Sequence, residues 1–538
     1  MKKLISILIA FCLVCLSGCF PANNNNKQLK SVELAFNDGV LSWQEVEHAE
    51  YYELYLNSVF LAKTNELSYD FNSFKVGEYD INVIAVDEEQ EYLKSKASLY
   101  KLTIESNVKN VDLFMINDTH GAFADGEYNG FTRISSYFTL NDPNSEFVKV
   151  ANGDIFQGTY VSNVLYGLPL IEAMNELKFD CFVIGNHEFD WGLDVIAKYK
   201  DGNLENGEAD FPFLGSNIID KRTNKMPSWI EPYTIIERNG IRVGIIGAIG
   251  ENQESSILKE HVTNYEFTEV LPKVKYYSKI LRNEHSCDLV VVSVHDYDPE
   301  LNLKIASLPS AERIDLILCG HTHTNILDEY TRTDGKKIFA VQNQDKNKTA
   351  SFVSIEVKNK EYIKSTFKKI YPANYNVDNQ FDDKFSKYDQ YLDSGERSLG
   401  FTSSSISKQT LGYYSTSAMT EYFGVDISII NTAGVRSNIG SGEITVSDVY
   451  NAFPFNNEVF IVELRGSEVK SLYAKNSEFL YFNNSFDINS IINSQYYEIA
   501  VIDYVFTGVY YQEFKNKDYV DTDQLLRDLL IEYIDKIY

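Results

Sequence analysis

Seven side chains of metal-ligating type fall in five short clusters between residues 118 and 323. They are Asp118 with His120, then Asp154, Asn186, His295, and finally His321 with His323. Imidazoles, carboxylates and one amide, with no cysteine among them, suit hard-to-borderline divalent ions such as Zn, Mn, Co or Fe. Seven ligands are too many for one tetrahedral ion and about right for two ions that share a bridging carboxylate. The i, i+2 spacing of Asp118/His120 and of His321/His323 presents two side chains to one side of a strand end or tight loop. Gly153, Gly185 and Gly320 each stand just before a polar residue of these clusters. Glycine there lets the backbone turn sharply or approach another chain segment closely. A lone histidine in apolar surroundings is more often a satisfied core residue, and a lone Gly-Asp pair carries no information. The ordered set is what points to a metal centre.

Each cluster follows an apolar run. VDLFMIN leads to Asp118, FVKVAN to Asp154, CFVIG to Asn186, DLVVVSV to His295 and IDLILCG to His321. Such runs read as strands that deliver side chains from their C-terminal ends. Five of them place the clusters along one rim of a sheet, where open α/β folds bind ligands. Apolar runs alternate with amphipathic stretches from 108 to 372, as an α/β domain requires.

The wording MINDTHGAF, ANGDIFQGT, GNHEFDWG and CGHTH, in that order, resembles the calcineurin-like metallophosphoesterase superfamily. More narrowly it is similar to the bacterial 5'-nucleotidase / UDP-sugar hydrolase / 2',3'-cyclic phosphodiesterase family and the ecto-5'-nucleotidases. The resemblance runs from residue 108 to the end of the chain. It implies a metallophosphoesterase sandwich with two central sheets, followed by an α+β C-terminal domain. It also implies roles. Asp118, His120, Asp154 and His323 bind one divalent ion, and Asp154, Asn186, His295 and His321 the other, with Asp154 bridging. Two such ions, roughly 3.5–4 Å apart, lower the pKa of a shared water, and the resulting hydroxide attacks phosphorus in line. Phosphate-monoester hydrolysis is among the slowest uncatalysed reactions, so charge neutralisation by two cations is a fitting device. By the same resemblance His187 contacts the phosphoryl or leaving-group oxygen, and Asp190 holds its imidazole.

Residues 373–397 read as a connecting helix and residues 398–538 as a substrate-binding unit. In the latter, Asn431, Gly434 and Arg436 resemble the family's Asn-x-x-Gly-[Ile/Val]-Arg loop, whose Arg contacts the nucleotide. Phe455, in AFPFN, resembles the first aromatic that sandwiches the base. Two stretches depart from the family. Ser407, with Lys408 beside it, stands where the family has an Arg, and the Gly-Gly-Asp-Gly loop is replaced by FTGVYYQEF. There Tyr511, or its neighbour Tyr510, is expected to supply the second aromatic. A Lys does not replace the bidentate fork of an Arg.

The flanks carry other signals. Lys2 and Lys3 precede an apolar run from Ile5 to Leu16 that is too short to span a bilayer comfortably, and Leu16-Ser17-Gly18-Cys19 follows. This reads as a signal peptide over 1–18. It resembles the bacterial lipoprotein signal, with Cys19 lipidated and the protein tethered outside the cytoplasm. Residues 19–28 form a polar linker. Residues 29–105 read as an all-β sandwich, with Trp43 on an early strand and alternating Tyr52, Leu54 and Leu56, then Tyr79, Ile81, Val83 and Ala85. This resembles a fibronectin type III module, expected to act as a spacer or to meet a cell-surface partner. Outside the signal and Cys19 only Cys181, Cys287 and Cys319 remain, each in or beside an apolar run, so buried thiols and no disulfide framework are expected.

The length of 538 residues suits about three domains. A net charge of −28 argues against binding a nucleic-acid polymer, because displacing phosphate counterions needs Lys and Arg. Three readings follow. One is a tethered two-metal phosphoesterase acting on nucleotides. Another is the same chemistry on a cyclic nucleotide, nucleotide sugar or sugar phosphate. The last is a surface-binding lipoprotein with a relic phosphoesterase fold.

Overall fold

The computed structural model describes residues 27–89, 91–104, 108–124 and 129–538. The expected signal peptide, Cys19 and most of the linker lie outside the described residues. The chain divides into two compact units, Met1–Asn107 and Val108–Tyr538.

The first unit holds two antiparallel sheets. Leu34–Asn37, Val40–Trp43 and Ser68–Asp70 form one, and Val59–Thr64, Tyr51–Leu56, Gly77–Val86 and Ser98–Ile104 form the other in that order. The period-2 pattern decides which face is buried. Tyr52, Leu54, Ile81, Val83 and Ala85 point inward and meet Leu41 and Trp43 of the opposite sheet in one core. The Trp43 and Tyr52 rings pack edge to face at 5.4 Å, and the Tyr52 hydroxyl accepts the Val46 N–H at 3.0 Å.

In the second unit the strands expected before the ligand clusters all form, but not in one sheet. Val108–Ile116, Val148–Asn152 and Cys181–Val183 belong to a seven-stranded sheet, and Leu289–His295 and Leu316–Leu318 to a six-stranded one. The single rim expected from the runs is therefore two rims, one from each stacked sheet. The reason lies in burial on both faces. Leu113, Met115, Val150 and Val183 pack across to Val243, Val291 and Ile317 of the second sheet. Their strand neighbours Phe114, Ile116, Ala151 and Phe182 face the other way and pack against the helices Phe131–Asn141 and Leu168–Glu176. The central strands of both sheets run parallel, so each delivers its C-terminal loop to the same end.

The connecting helix expected over 373–397 is broken. Asn379–Lys384 and Asp389–Gly395 are separate short helices. Asp378 caps the first by accepting N–H groups of Gln380 and Phe381, and Phe385 leaves helical geometry at its end. That turn buries Phe381, Phe385 and Tyr388 together in the phenylalanine-rich core. Tertiary packing has overridden local helix continuity.

The remaining residues build a five-stranded mixed sheet in the order Leu480–Phe482, Ile427–Asn431, Tyr496–Ile502, Glu458–Arg465, Tyr519–Leu525. The strand Tyr496–Ile502 ends where Asp503–Thr507 turns into a short helix. The helix Lys408–Phe423 is capped by the Ser407 hydroxyl and ended by left-handed Gly424. Cys181, Cys287 and Cys319 are free and buried. Among the described residues no helix is long and apolar enough to cross a membrane.

Candidate active site

The expected ligands converge. Ligand atoms of Asp118, His120 and His323 lie within 4.8 Å of one another, and so do those of Asp154, His295 and His321. Asp154 belongs also to a third group with His120 and His187. Asn186 joins the second group: its Oδ1 stands 3.0 Å from His321 Nδ1. His120 Nε2 and His323 Nε2 are 3.0 Å apart. Two further contacts set which nitrogen faces inward. His295 Nδ1 donates to the Asn152 carbonyl at 2.8 Å, and His120 Nδ1 to the Gln157 carbonyl at 3.2 Å. Each Nε2 then faces the other ligands, the arrangement that orients a ligating histidine.

Backbone geometry at these ligands is unusual. Asp118, His120, Asp154, His321 and His323 all have positive φ, between 47° and 77°. For residues with a Cβ this region costs of the order of 1 kcal/mol or more each and is held only by surrounding structure. Here the loops tie one another: Asp118 N–H donates to Gly153 O, His120 N–H to Asp154 O and Lys346 N–H to Asp118 O. Of the three glycines singled out in the sequence, only Gly153 has positive φ. All three allow close approach. A Cβ at Gly153 or Gly320 would meet His295 Nδ1 at 2.1 or 2.7 Å, and one at Gly185 would meet Asp154 Oδ1 at 2.3 Å.

The electrostatics favour a cation. Burial holds the His120 imidazole well below its ordinary pKa and brings His321 and His323 down to about 4. These rings are therefore neutral and able to ligate at pH 7. Burial, opposed by the His295 charge, pushes Asp118 up to about 7. Burial also pushes Asp154 upward, but His295 and His187 overcome it and hold the carboxyl well below its usual range. Asp154 Oδ1 accepts the His187 N–H at 2.8 Å. Its Oδ2 lies buried 3.0 Å from His295 Nε2. Burial lowers the pKa of that imidazole, but the Asp154 and Asp118 carboxylates outweigh it and push it up to about 10. A centre whose carboxylates hold a proton that tightly holds positive charge well, and with the neutral imidazoles of His120, His321 and His323 around it the donor set fits a divalent metal site.

His187 lies beside this set. Its Nδ1 bonds Asp190 Oδ2 at 2.7 Å, and its Nε2 is 4.0 Å from Asp154 Oδ2. Burial lowers its pKa, but Asp190 and Asp154 more than compensate, so the net shift is upward. The His187 ring stacks on Phe455 at 5.6 Å, and the Arg436 guanidinium lies 5.8 Å from the Phe455 ring. A cavity of about 370 Å³ is lined by Asp154, Asn186, His187, Asp190, His321 and His323 on one side and by Asn431, Gly434, Arg436, Phe455 and Tyr504 on the other.

Comparison with known proteins agrees with this arrangement. The calcineurin-like phosphoesterase family matches residues 113–325, and the 5'-nucleotidase C-terminal domain matches residues 390–514. The chain is a phosphoric ester hydrolase built of these two domains. It is 25% identical over 429 residues to a 5'-nucleotidase of Vibrio parahaemolyticus, covering 69% of this chain and 73% of that one. It is 23% identical over 460 residues to the trifunctional nucleotide phosphoesterase protein YfkN of Bacillus subtilis, covering 76% of this chain and 30% of the relative. The fold resembles the crystal structure of a 5'-nucleotidase precursor from Thermus thermophilus, with a TM-score of 0.68, 20% identity and coverage of 80% and 97%. Members of the calcineurin-like family use divalent metals.

The nucleotidase C-terminal domain places most of its expected residues on the cavity, but not all. Tyr511 is 8% exposed, packed in that domain's core, and borders a separate cavity of about 920 Å³. Tyr504 lines both cavities, and its hydroxyl donates to the Ser255 carbonyl of the phosphoesterase domain at 3.1 Å. Ser407 serves as a helix cap. Lys408 lies near the site: burial, then the Arg436 charge, lowers its pKa. Support around Asp118 was also missed. Asn117 and Asn343 exchange hydrogen bonds, and Thr119 donates to Asn347. The one signal was the asparagine-rich run QNQDKNKT after an apolar strand.

Proposed function

We propose that the chain hydrolyses the phosphate esters of nucleotides, in the manner of a 5'-nucleotidase, with two divalent ions at the His/Asp/Asn cluster. One observation carries this reading: Asp154, Asn186, His321 and His323 of the ligand cluster line the same cavity as Phe455, Tyr504 and Arg436. Asp118, His120, Asp154 and His323 would hold one ion, and Asp154, Asn186, His295 and His321 the other. When bound, the cations supply charge neutralisation at the phosphoryl group and water activation. The protein does the rest. His187, its Nδ1 held by Asp190, offers Nε2 to the phosphoryl or leaving-group oxygen. Arg436 presents a planar fork to phosphate or sugar oxygens. Phe455 and Tyr504 offer flat faces on which a base stacks. The C-terminal domain forms the wall of the cavity that faces the ligands.

The larger cavity beside the site favours a second reading. It shares Asn431, Ala433 and Tyr504 with the first, so there is room for a second group, as in a nucleotide sugar. A panel of AMP, UDP-glucose, cyclic nucleotides and an aryl phosphate with Mn or Zn tests both. Fast release from AMP supports the nucleotidase. Turnover confined to UDP-glucose moves the assignment to nucleotide sugars. Absence of turnover on every ester supports the binding-protein reading. Asp154→Asn should abolish activity and lower bound metal together; retention of both would sink the dinuclear assignment.

We further infer that residues 29–105 are a fibronectin type III-like spacer and that lipid on Cys19 tethers the protein outside the cytoplasm. The Leu-Ser-Gly-Cys sequence and the Trp43–Tyr52 core support this. Labelled palmitate should enter the wild type and not Cys19→Ser.

A further inference from the structure

Glu188 is fully buried and has no place in the chemistry derived above. It stands between His187 and the Asp190 that orients it, yet its carboxylate turns away from both. Oε2 accepts the N–H of Asp154 at 2.9 Å and the N–H of Gly185 at 2.8 Å. Oε1 accepts the N–H of Ile155 at 2.9 Å. One side chain thus fastens the loop that carries Asp154 to the loop that leads into Asn186. It does so where the loops are closest, since a Cβ on Gly185 would lie 2.3 Å from Asp154 Oδ1 and 2.7 Å from its backbone nitrogen. Asp154 needs such a fastening. It sits at φ +53° and belongs to two of the three ligand groups.

We propose that Glu188 is a positioning residue that holds the Asp154 and Asn186 loops in ligating geometry before any ion binds. This rests on the dinuclear reading only in taking Asp154 as the shared ligand. A carboxylate is the group for the task. It offers acceptor positions on both oxygens, whereas the amide of a glutamine would set an N–H donor against the Ile155 or Gly185 N–H. Charge-assisted bonds to backbone N–H groups are also the stronger kind. Because the partners are main chain, the clamp acts on Asp154 φ and ψ and leaves its carboxylate free for metal.

The test measures metal binding first and activity second. Glu188→Gln, titrated with Mn by calorimetry, should stay folded by circular dichroism and bind at least one ion about 10–100-fold more weakly. Its kcat for an aryl phosphate should fall at limiting Mn and recover at saturating Mn, with KM unchanged. A purely structural role would not give that recovery. Glu188→Asp keeps the charge but withdraws it by one methylene, and it should weaken binding too. If Glu188→Gln binds two ions as tightly as the wild type, the proposal is overturned. It is also overturned if Glu188→Asp binds like the wild type while Glu188→Gln does not, for then charge and not reach holds the ions. Hydrogen exchange on the wild type covers the case in which neither variant folds. Slow exchange at the Asp154, Ile155 and Gly185 amides after EDTA treatment supports the clamp. Fast exchange there until Mn is added overturns it. None of these readouts depends on which ester is cleaved.

Discussion

His187 stands between two roles. Its Nε2 is near Asp154 Oδ2 and could complete a ligand group with His120 and Asp154. Its Nδ1 bond to Asp190 and its stack on Phe455 instead describe a ring oriented toward the substrate. The roles separate by experiment. If His187 serves the leaving group, His187→Asn should retain its full metal content and lose about 10²–10⁴-fold in kcat, the usual worth of a positioned acid or base. Loss of an ion from that variant would make His187 a ligand. Arg436 answers a different question at the same scale. It lies against Phe455 and touches none of the metal ligands by hydrogen bond or ion pair among the described contacts. Arg436→Ala should therefore lower kcat/KM for AMP by about 1.5–3 kcal/mol, the worth of a hydrogen bond to a charged group, and leave turnover of an aryl phosphate nearly unchanged. An equal loss on both would place Arg436 on the phosphoryl group rather than the nucleoside.

At the scale of elements, the short helix Asp503–Thr507 decides how the C-terminal domain meets the site. It ends the strand Tyr496–Ile502 and turns Tyr504 into the cavity. Asp503 accepts Asn457 Nδ2 at 2.8 Å and the Tyr504 N–H at 2.6 Å, and burial pushes its carboxyl up to about 6. A carboxyl whose folded pKa lies above its ordinary 3.8 binds its proton more tightly in the native state. Its stabilising contribution is complete below the unfolded pKa and is lost as pH rises through the folded one. Wild type should therefore lose up to about 3 kcal/mol between pH 4 and pH 7 that Asp503→Asn does not lose, by the conversion of about 1.4 kcal/mol per pKa unit. Denaturant unfolding of both proteins across that range checks it; parallel pH profiles would refute it. This helix also shows why the sequence led to Tyr511 in place of Tyr504. Apolar residues run on from Ile499 to Phe506 with Asp503 alone among them, so one polar residue is the whole local mark of the strand's end. The metal-ligand loops were legible for the opposite reason: each follows a mostly apolar run with polar residues of one chemical kind. What could not be read was that five ligands take positive φ, since that conformation is imposed by neighbouring loops that are distant in sequence.

At the scale of the whole molecule, the division into Met1–Asn107 and Val108–Tyr538 separates chemistry from everything else. The cores of the second unit are complete in themselves: their buried residues run from Val111 to Ile534, and none comes from the first unit. The first unit has its own core, from Leu29 to Leu102. Every ligand, His187 with Asp190, and the residues of the C-terminal domain that face them lie beyond residue 108. A unit of 431 residues is large enough to bury most of its surface alone. The net charge of −28 belongs to the full chain and repels anionic substrates at long range, an effect that salt screens within about 10 Å at 0.1 M. Removing residues 1–107 should thus leave kcat and KM for an aryl phosphate within about twofold of the full chain at 0.15 M salt, because at that ionic strength only charges near the cleft still act. A tenfold fall in kcat with intact metal binding would show that the first unit does more than carry the enzyme, and it would reopen the role of its exposed edge strand Val59–Thr64, where Val59 and Phe60 are more than half exposed.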